Sequence, residues 1–145
     1  MQAMIEAAAN DVYLQLKGLY PESHLNKAMN IAMDKAGATV SSEFVLPAIY
    51  TDTAGGNHII AYDKADHFVV YRGEKAIVET KVVAVSREDF TTHNATAQLL
   101  RYHRNATHPS INIDVKHLYV LLFFSGVDPG EPKLIPVSIL QVGSS

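Results

Sequence analysis

The chain has 145 residues, 48% of them apolar and 19% charged, which is the composition of a folded domain and excludes a disordered one. That length suits one compact domain with one core. With no cysteine, disulfides and thiolate metal sites are excluded, and a net charge of −3 speaks against tight, sequence-independent nucleic-acid binding, although a bound cation would reverse the local sign.

Residues 2 to 16 predict a helix, because Met4, Ile5, Ala8, Val12 and Leu16 recur at helical spacing. Gly18 interrupts it. A second helix is expected from Pro21, a good first-turn residue, with Glu22 favoured there by the helix dipole. Its apolar stripe is Leu25, Ala28, Met29, Ala32, Met33 and Ala36, and Gly37 ends it. The period then shortens to two. Phe44, Leu46, Ala48 and Tyr50 predict a strand over 43 to 50, and Pro47 places it at an edge. After the turn around Gly55-Gly56, residues 58 to 71 predict a strand bent near Asp63-Lys64. The short turn Arg72-Gly73-Glu74-Lys75 joins it to a third strand, 75 to 85, as a hairpin. A helix is expected from about residue 86 to Arg104, then a polar loop. The run LYVLLFF within 117 to 124 reads as a strand buried on both faces, and residues 134 to 140 as a last strand. The expected fold is α/β, a central mixed sheet flanked by helices, in one domain spanning 1 to 145.

No segment reaches the roughly 20 apolar residues of a membrane helix, so no membrane partner is expected. The opening MQAMIEAAANDVY carries Glu6 and lacks the basic start of a signal peptide. The expectation is a soluble, intracellular protein, of cytoplasm or nucleus, with a viral or phage source left open. Seven histidines invite zinc, but spacings such as His93 to His103 match no compact ligand pattern.

The segment AIVETKVVAV carries two charges, Glu79 and Lys81, inside an apolar strand. Two residues apart, they point to one face, with Val78, Thr80 and Val82 on the other. Counting back across the hairpin turn brings Asp66 of the preceding strand roughly opposite them. Two close carboxylates repel unless a cation lies between them. A hard ion with oxygen ligands, Mg2+ or Mn2+, suits that pair. Lys81 would then hold a water near the metal or stabilise charge on a phosphate. The bland readings are that Asp66 ends a strand and that Glu79 and Lys81 form a surface ion pair.

Asp66 followed by Glu79-Thr80-Lys81 resembles the signature of the PD-(D/E)xK nuclease superfamily, with Ala65 in place of its proline. The segment YPESHLNKAMNIAMDKAGATVSSEFVLPAIY is similar to the start of the small GxxExxY proteins within it. Glu22 stands at their glutamate, Gly18 is displaced by one, and Leu25 stands where their tyrosine falls. THNATAQLLRYHRN resembles a further segment, with His93 and Gln98 at its histidine and glutamine. The resemblance covers about residues 10 to 125. It implies a restriction-endonuclease-like α-β-β-β-α-β core and metal-dependent hydrolysis of nucleic acid, DNA ahead of RNA. Asp66, Glu79 and the Thr80 main-chain carbonyl would bind the ion. Lys81 would position the attacking water. Glu22 would add a ligand or acceptor, and Gln98 would orient Lys81 or a phosphate. Without the resemblance, Glu22 is explained as a helix N-terminal acid and Gln98 as a solvated helix residue. Arg101 and Arg104 could touch phosphates, but basic residues at a helix C-terminus also complement the dipole. The resemblance implies a homodimer or a larger complex that gains a second cutting site or target specificity, and the net charge favours a partner that supplies DNA affinity. The alternative is a catalytically silent nuclease fold acting as an assembly module.

Overall fold

The computed structural model describes residues 1–127 and 129–139. Its elements are α1 (Gln2–Leu16), α2 (Glu22–Lys35), β1 (Thr39–Thr51), β2 (Asn57–Tyr71), β3 (Glu74–Val83), α3 (Glu88–Thr107), β4 (His117–Phe124) and β5 (Lys133–Val137). The fold is α/β: a five-stranded mixed sheet, ordered β1-β2-β3-β4-β5, flanked by three helices. Only β3 and β4 run parallel, because α3 forms the crossover between them; the other neighbours are antiparallel.

Alternation sorts each strand between two cores. Ala76 and Val78 of β3, with Tyr119, Leu121 and Phe123 of β4, meet α1 and α2 on one face. Ile77, Val83, Leu118, Val120, Leu122 and Phe124 meet α3 on the other. LYVLLFF is therefore apolar throughout, since it lies between two helical layers. On α2, Leu25, Met29 and Met33 recur every fourth residue and are wholly buried. Gly37 ends that helix at φ +97, and the Ala38 N–H closes the last turn on the Met33 carbonyl at 3.1 Å.

Two departures from the expected elements bear on function. β1 begins at Thr39 rather than 43, because Thr39 to Ser42 lack apolar alternation yet pair with Val70 to His67 of β2. α3 continues past Arg104 to Thr107, with Ala106 wholly buried and Asn105 nearly so. The last strand stops at Val137, and Leu140 lies outside the described residues.

The β2–β3 ladder ends at His67↔Val78, whereas β2 stays paired with β1 as far as Asn57↔Thr51. Residues beyond His67 thus form a two-stranded ribbon that parts from β3 and opens a fork. The ribbon also reverses its facing there. His67 points to α2, but Ala65, two residues earlier, packs in the α3 core, as does Phe44 of β1. Residues two apart should share a face, so the chain turns over at Asp66 and at Glu43, whose φ is +51. The expected bend near Asp63-Lys64 falls instead at this point.

Candidate active site

Continuing the ladder by one step would place Asp66 opposite Glu79. The strands have parted by then, and carboxylates take up the freed main-chain donors. The Thr80 N–H donates to Asp66 Oδ2 at 2.9 Å, and the Asp66 N–H donates to Glu79 Oε1 at 3.3 Å. In an extended residue the N–H and C=O point to the same side, so the Thr80 carbonyl also faces the fork. Glu79 is 3% exposed. The Lys81 ammonium stands 3.8 Å from Glu79 Oε2 and remains partly open to solvent. Asp66, Glu79 and Lys81 are thus gathered at one point of the sheet.

Glu22, in the first turn of α2, reaches the same region. Its Oε1 is buried and has no hydrogen-bond partner among the described residues. Its pKa is raised, first by burial and then by the negative charge of Asp66, with Lys81 opposing. A cleft of about 400 Å³ runs from this point along α2, lined by Glu22, Ser23, Asn26, Lys27, Ser42 and Asp66 among others.

Burial is also the largest cause acting on Glu79. Burial, the Asp66 charge and a hydrogen bond with the Asp66 carboxyl raise its pKa to about 8, against the opposing pull of Lys81. At neutral pH this carboxyl keeps a proton in the absence of a cation. The shift is that of a carboxyl that is first buried and then crowded by a second carboxyl, with one ammonium opposing.

Helix α3 closes the other side. Gln98 is half-buried, and its Oε1 has no partner among the described residues. One turn on, the buried Tyr102 hydroxyl lies 3.2 Å from Glu79 Oε2 and 2.9 Å from the Lys64 carbonyl. It has one proton to donate between them. Burial, then the Glu79 charge, raises the Tyr102 pKa, so the phenol stays neutral. The sequence signal for Tyr102 was its place four residues after Gln98, on the same helical face; a tyrosine at that spacing reads equally well as core.

His67 was also missed. It is wholly buried, with Nδ1 2.7 Å from the Asn30 amide oxygen and Nε2 3.0 Å from that of Asn26. Burial lowers its pKa to about 4, against the pull of Asp66, so the ring is neutral at pH 7. A neutral ring has one N–H and one lone pair, so one of the two amides presents its NH2 to the ring.

The remaining expected residues lie apart from the fork. Arg101 is held by Asp63, Nε to Oδ2 at 3.3 Å, and Asn105 donates to the same oxygen at 2.8 Å. Asp63 reaches α3 because the ribbon turns over at Asp66. Arg104 and Arg101 line an open groove between α3 and the ribbon. His93 is exposed.

No family model matches the chain, and no curated protein matches it. Among solved structures it is similar to one described as "Crystal structure of SSO0001", at 12% identity and a TM-score of 0.49 over 84% of this chain. The chain spans 56% of that structure's length. A likeness of that degree carries no argument about function. Among the described residues, no helix is long and apolar enough to cross a membrane.

Proposed function

We propose that the protein hydrolyses phosphodiester bonds of nucleic acid, DNA ahead of RNA, with Mg2+ or Mn2+ at the β2–β3 fork, as its resemblance to the PD-(D/E)xK nucleases and the GxxExxY proteins implies. The observation that carries this reading is the parting of β2 from β3 after His67 and Val78, with Asp66, Glu79 and Lys81 filling the gap. The donor set is oxygen-rich and acidic, which suits a hard divalent ion. The partnerless buried oxygen of Glu22 supports the fit. Among the described residues no three carboxylate or imidazole groups form a cage by themselves. Mg2+ does not require one, since it is commonly bound through one or two carboxylates together with water and substrate phosphate oxygens.

Asp66, Glu79 and the Thr80 carbonyl would hold the ion, with Glu22 as a further acceptor. When bound, it would polarise the phosphate and acidify a coordinated water. Lys81, fixed by Glu79 but not enclosed, would hold the attacking water or offset charge on the phosphate. Gln98 would orient Lys81 or a phosphate oxygen. Tyr102 would keep Glu79 in place through Oε2.

The test is cleavage of plasmid and single-stranded DNA in Mg2+, Mn2+ or EDTA by the wild type, Asp66→Asn and Lys81→Ala. Metal-dependent cleavage that falls by about 10²-fold or more in both variants is the expected result. Equal trace activity in all three proteins would overturn the proposal.

One observation favours a second reading. Asp66 and Glu79 each already accept a main-chain N–H from the opposite strand, so they also serve to close the fork. A catalytically silent assembly module would keep them for that purpose. In that case Asp66→Ala would cost stability in the metal-free protein, and Mn2+ would leave the melting temperature of the wild type unchanged.

A further inference from the structure

Helix α2 carries two adjacent stripes. Leu25, Met29 and Met33 face the core, and Glu22, Asn26 and Asn30 face β2, each stripe stepping by four residues. The apolar stripe holds the helix down but sets its position loosely, because methionine adapts to small shifts. The polar stripe is more exacting. The His67 ring spans two amides one helical turn apart and is wholly buried, so a slide of α2 would leave buried polar atoms without partners. His67 is also the last β2 residue paired with β3, and the next residue back is Asp66. One turn before Asn26 stands Glu22.

We infer that His67, through Asn26 and Asn30, is a positioning residue that registers α2 so that Glu22 stands against the Asp66–Glu79 pair. The inference rests on the proposed reading of Glu22 as part of the ion-binding set. His67 touches no reacting group. It acts by holding the third carboxylate of the set, which comes from another layer of the fold, at a fixed distance from the two that come from the sheet. Partners that orient metal ligands in this way are typically worth about 10- to 100-fold in metal affinity.

The test combines Mn2+ affinity with a distance that needs no metal. The chain has no cysteine, so Lys27→Cys on α2 and Arg72→Cys at the β2–β3 turn, both exposed, take spin labels cleanly. In this labelled protein, His67→Leu is expected to broaden or shift the α2-to-sheet distance distribution. His67→Gln, which keeps an amide donor and acceptor, is expected to restore it in large part. Without labels, His67→Leu is expected to weaken Mn2+ binding by about 10-fold, read by paramagnetic resonance of the free ion. In a Glu22→Gln background the same change is expected to have no further effect. A loss of equal size in both backgrounds would overturn the inference, because it would mean a general structural defect. An unchanged distance distribution in His67→Leu would also overturn it. Wild-type protein that binds no Mn2+ would instead sink the metal reading, and the label distances would still decide whether His67 registers the helix. Should His67→Leu fail to fold, Asn26→Ala and Asn30→Ala, which leave the ring in place, carry the same two measurements.

Discussion

At the scale of single residues, Glu79 sets the pH behaviour. Its pKa is 4.5 in the unfolded chain and about 8 in the fold, so the native state retains a proton that the unfolded state releases. Its contribution to stability is full below pH 4.5 and is lost progressively as pH rises to about 8. Glu22 is shifted in the same direction. His67 acts oppositely, since its pKa falls from 6.5 to about 4, and its contribution is lost as pH falls through that range. As pH rises above 6.5 His67 becomes neutral in the unfolded chain as well, so the Glu79 contribution governs the upper part of the range up to pH 8. The melting temperature of the metal-free protein is expected to fall across that upper part in EDTA. Glu79→Gln, which removes the charge but keeps the shape, is expected to flatten the slope and to stabilise the protein at pH 8 by on the order of 2 kcal/mol. Thermal unfolding at several pH values checks both. A flat wild-type profile would mean that Glu79 ionises freely in the fold, which is incompatible with a carboxyl buried against Asp66. The three residues of the fork were legible before the structure because one short turn fixes their register, and i + j arithmetic across a hairpin is robust. Tyr102 and His67 were not legible in the same way. Tyr102 looks like any core aromatic until Glu79 is placed beside it, and the His67 amide tie joins residues 37 and 41 positions apart in two layers.

At the scale of elements, the patterns that proved readable were those in which a single periodicity dominates. The four-residue stripe Leu25, Met29, Met33 announces α2, and the alternation of Ala76 and Val78 against Ile77 and Glu79 announces β3. The ribbon was harder to read. A turnover at Asp66 and Glu43 breaks the period-two rule without any glycine or proline to mark it, so strict alternation from His67 would turn Asp63 away from α3, which it in fact meets. The α1–α2 connection shows a different kind of constraint. Gly18 lies against the end of β4: its carbonyl accepts the Gly126 N–H at 3.2 Å, and a Cβ added to it would stand 2.3 Å from the Phe124 carbonyl oxygen. No L side chain fits there without moving backbone. Gly18→Ala is expected to cost roughly 1–3 kcal/mol of stability, measured by urea denaturation, with the m-value unchanged. Because this contact fixes the approach of the chain to α2, the variant should also weaken Mn2+ binding, whereas Gly130→Ala, where an added Cβ meets nothing, should do neither. If Gly18→Ala is as stable as the wild type, the close approach of the two chain segments is not a constraint on α2.

At the scale of the whole molecule, charge limits what the fork can do alone. The chain has 12 lysines and arginines against 15 acidic residues, and several of the cations are already engaged. Arg101 is held by Asp63, Lys116 by Asp114 and Lys133 by Glu88, and Lys81 stands beside Glu79 inside the fork. Duplex DNA is bound chiefly through phosphate neutralisation, which releases counterions in proportion to the number of phosphates contacted. The cations outside these pairs are outnumbered by the remaining acidic side chains, so the surface can neutralise only a small number of phosphates. Binding of a labelled duplex of about 20 base pairs, followed by fluorescence anisotropy in EDTA over a range of salt, should therefore be weak. The slope of log K against log salt should be about −2 to −3, well short of the slope of −6 or steeper that a basic DNA-binding surface produces. A steep slope for the isolated chain would show a cationic surface that remains free beside these ion pairs, and would remove the need for a partner. A shallow slope that becomes steep only when a second, basic protein is added would place DNA affinity in that partner rather than in this chain.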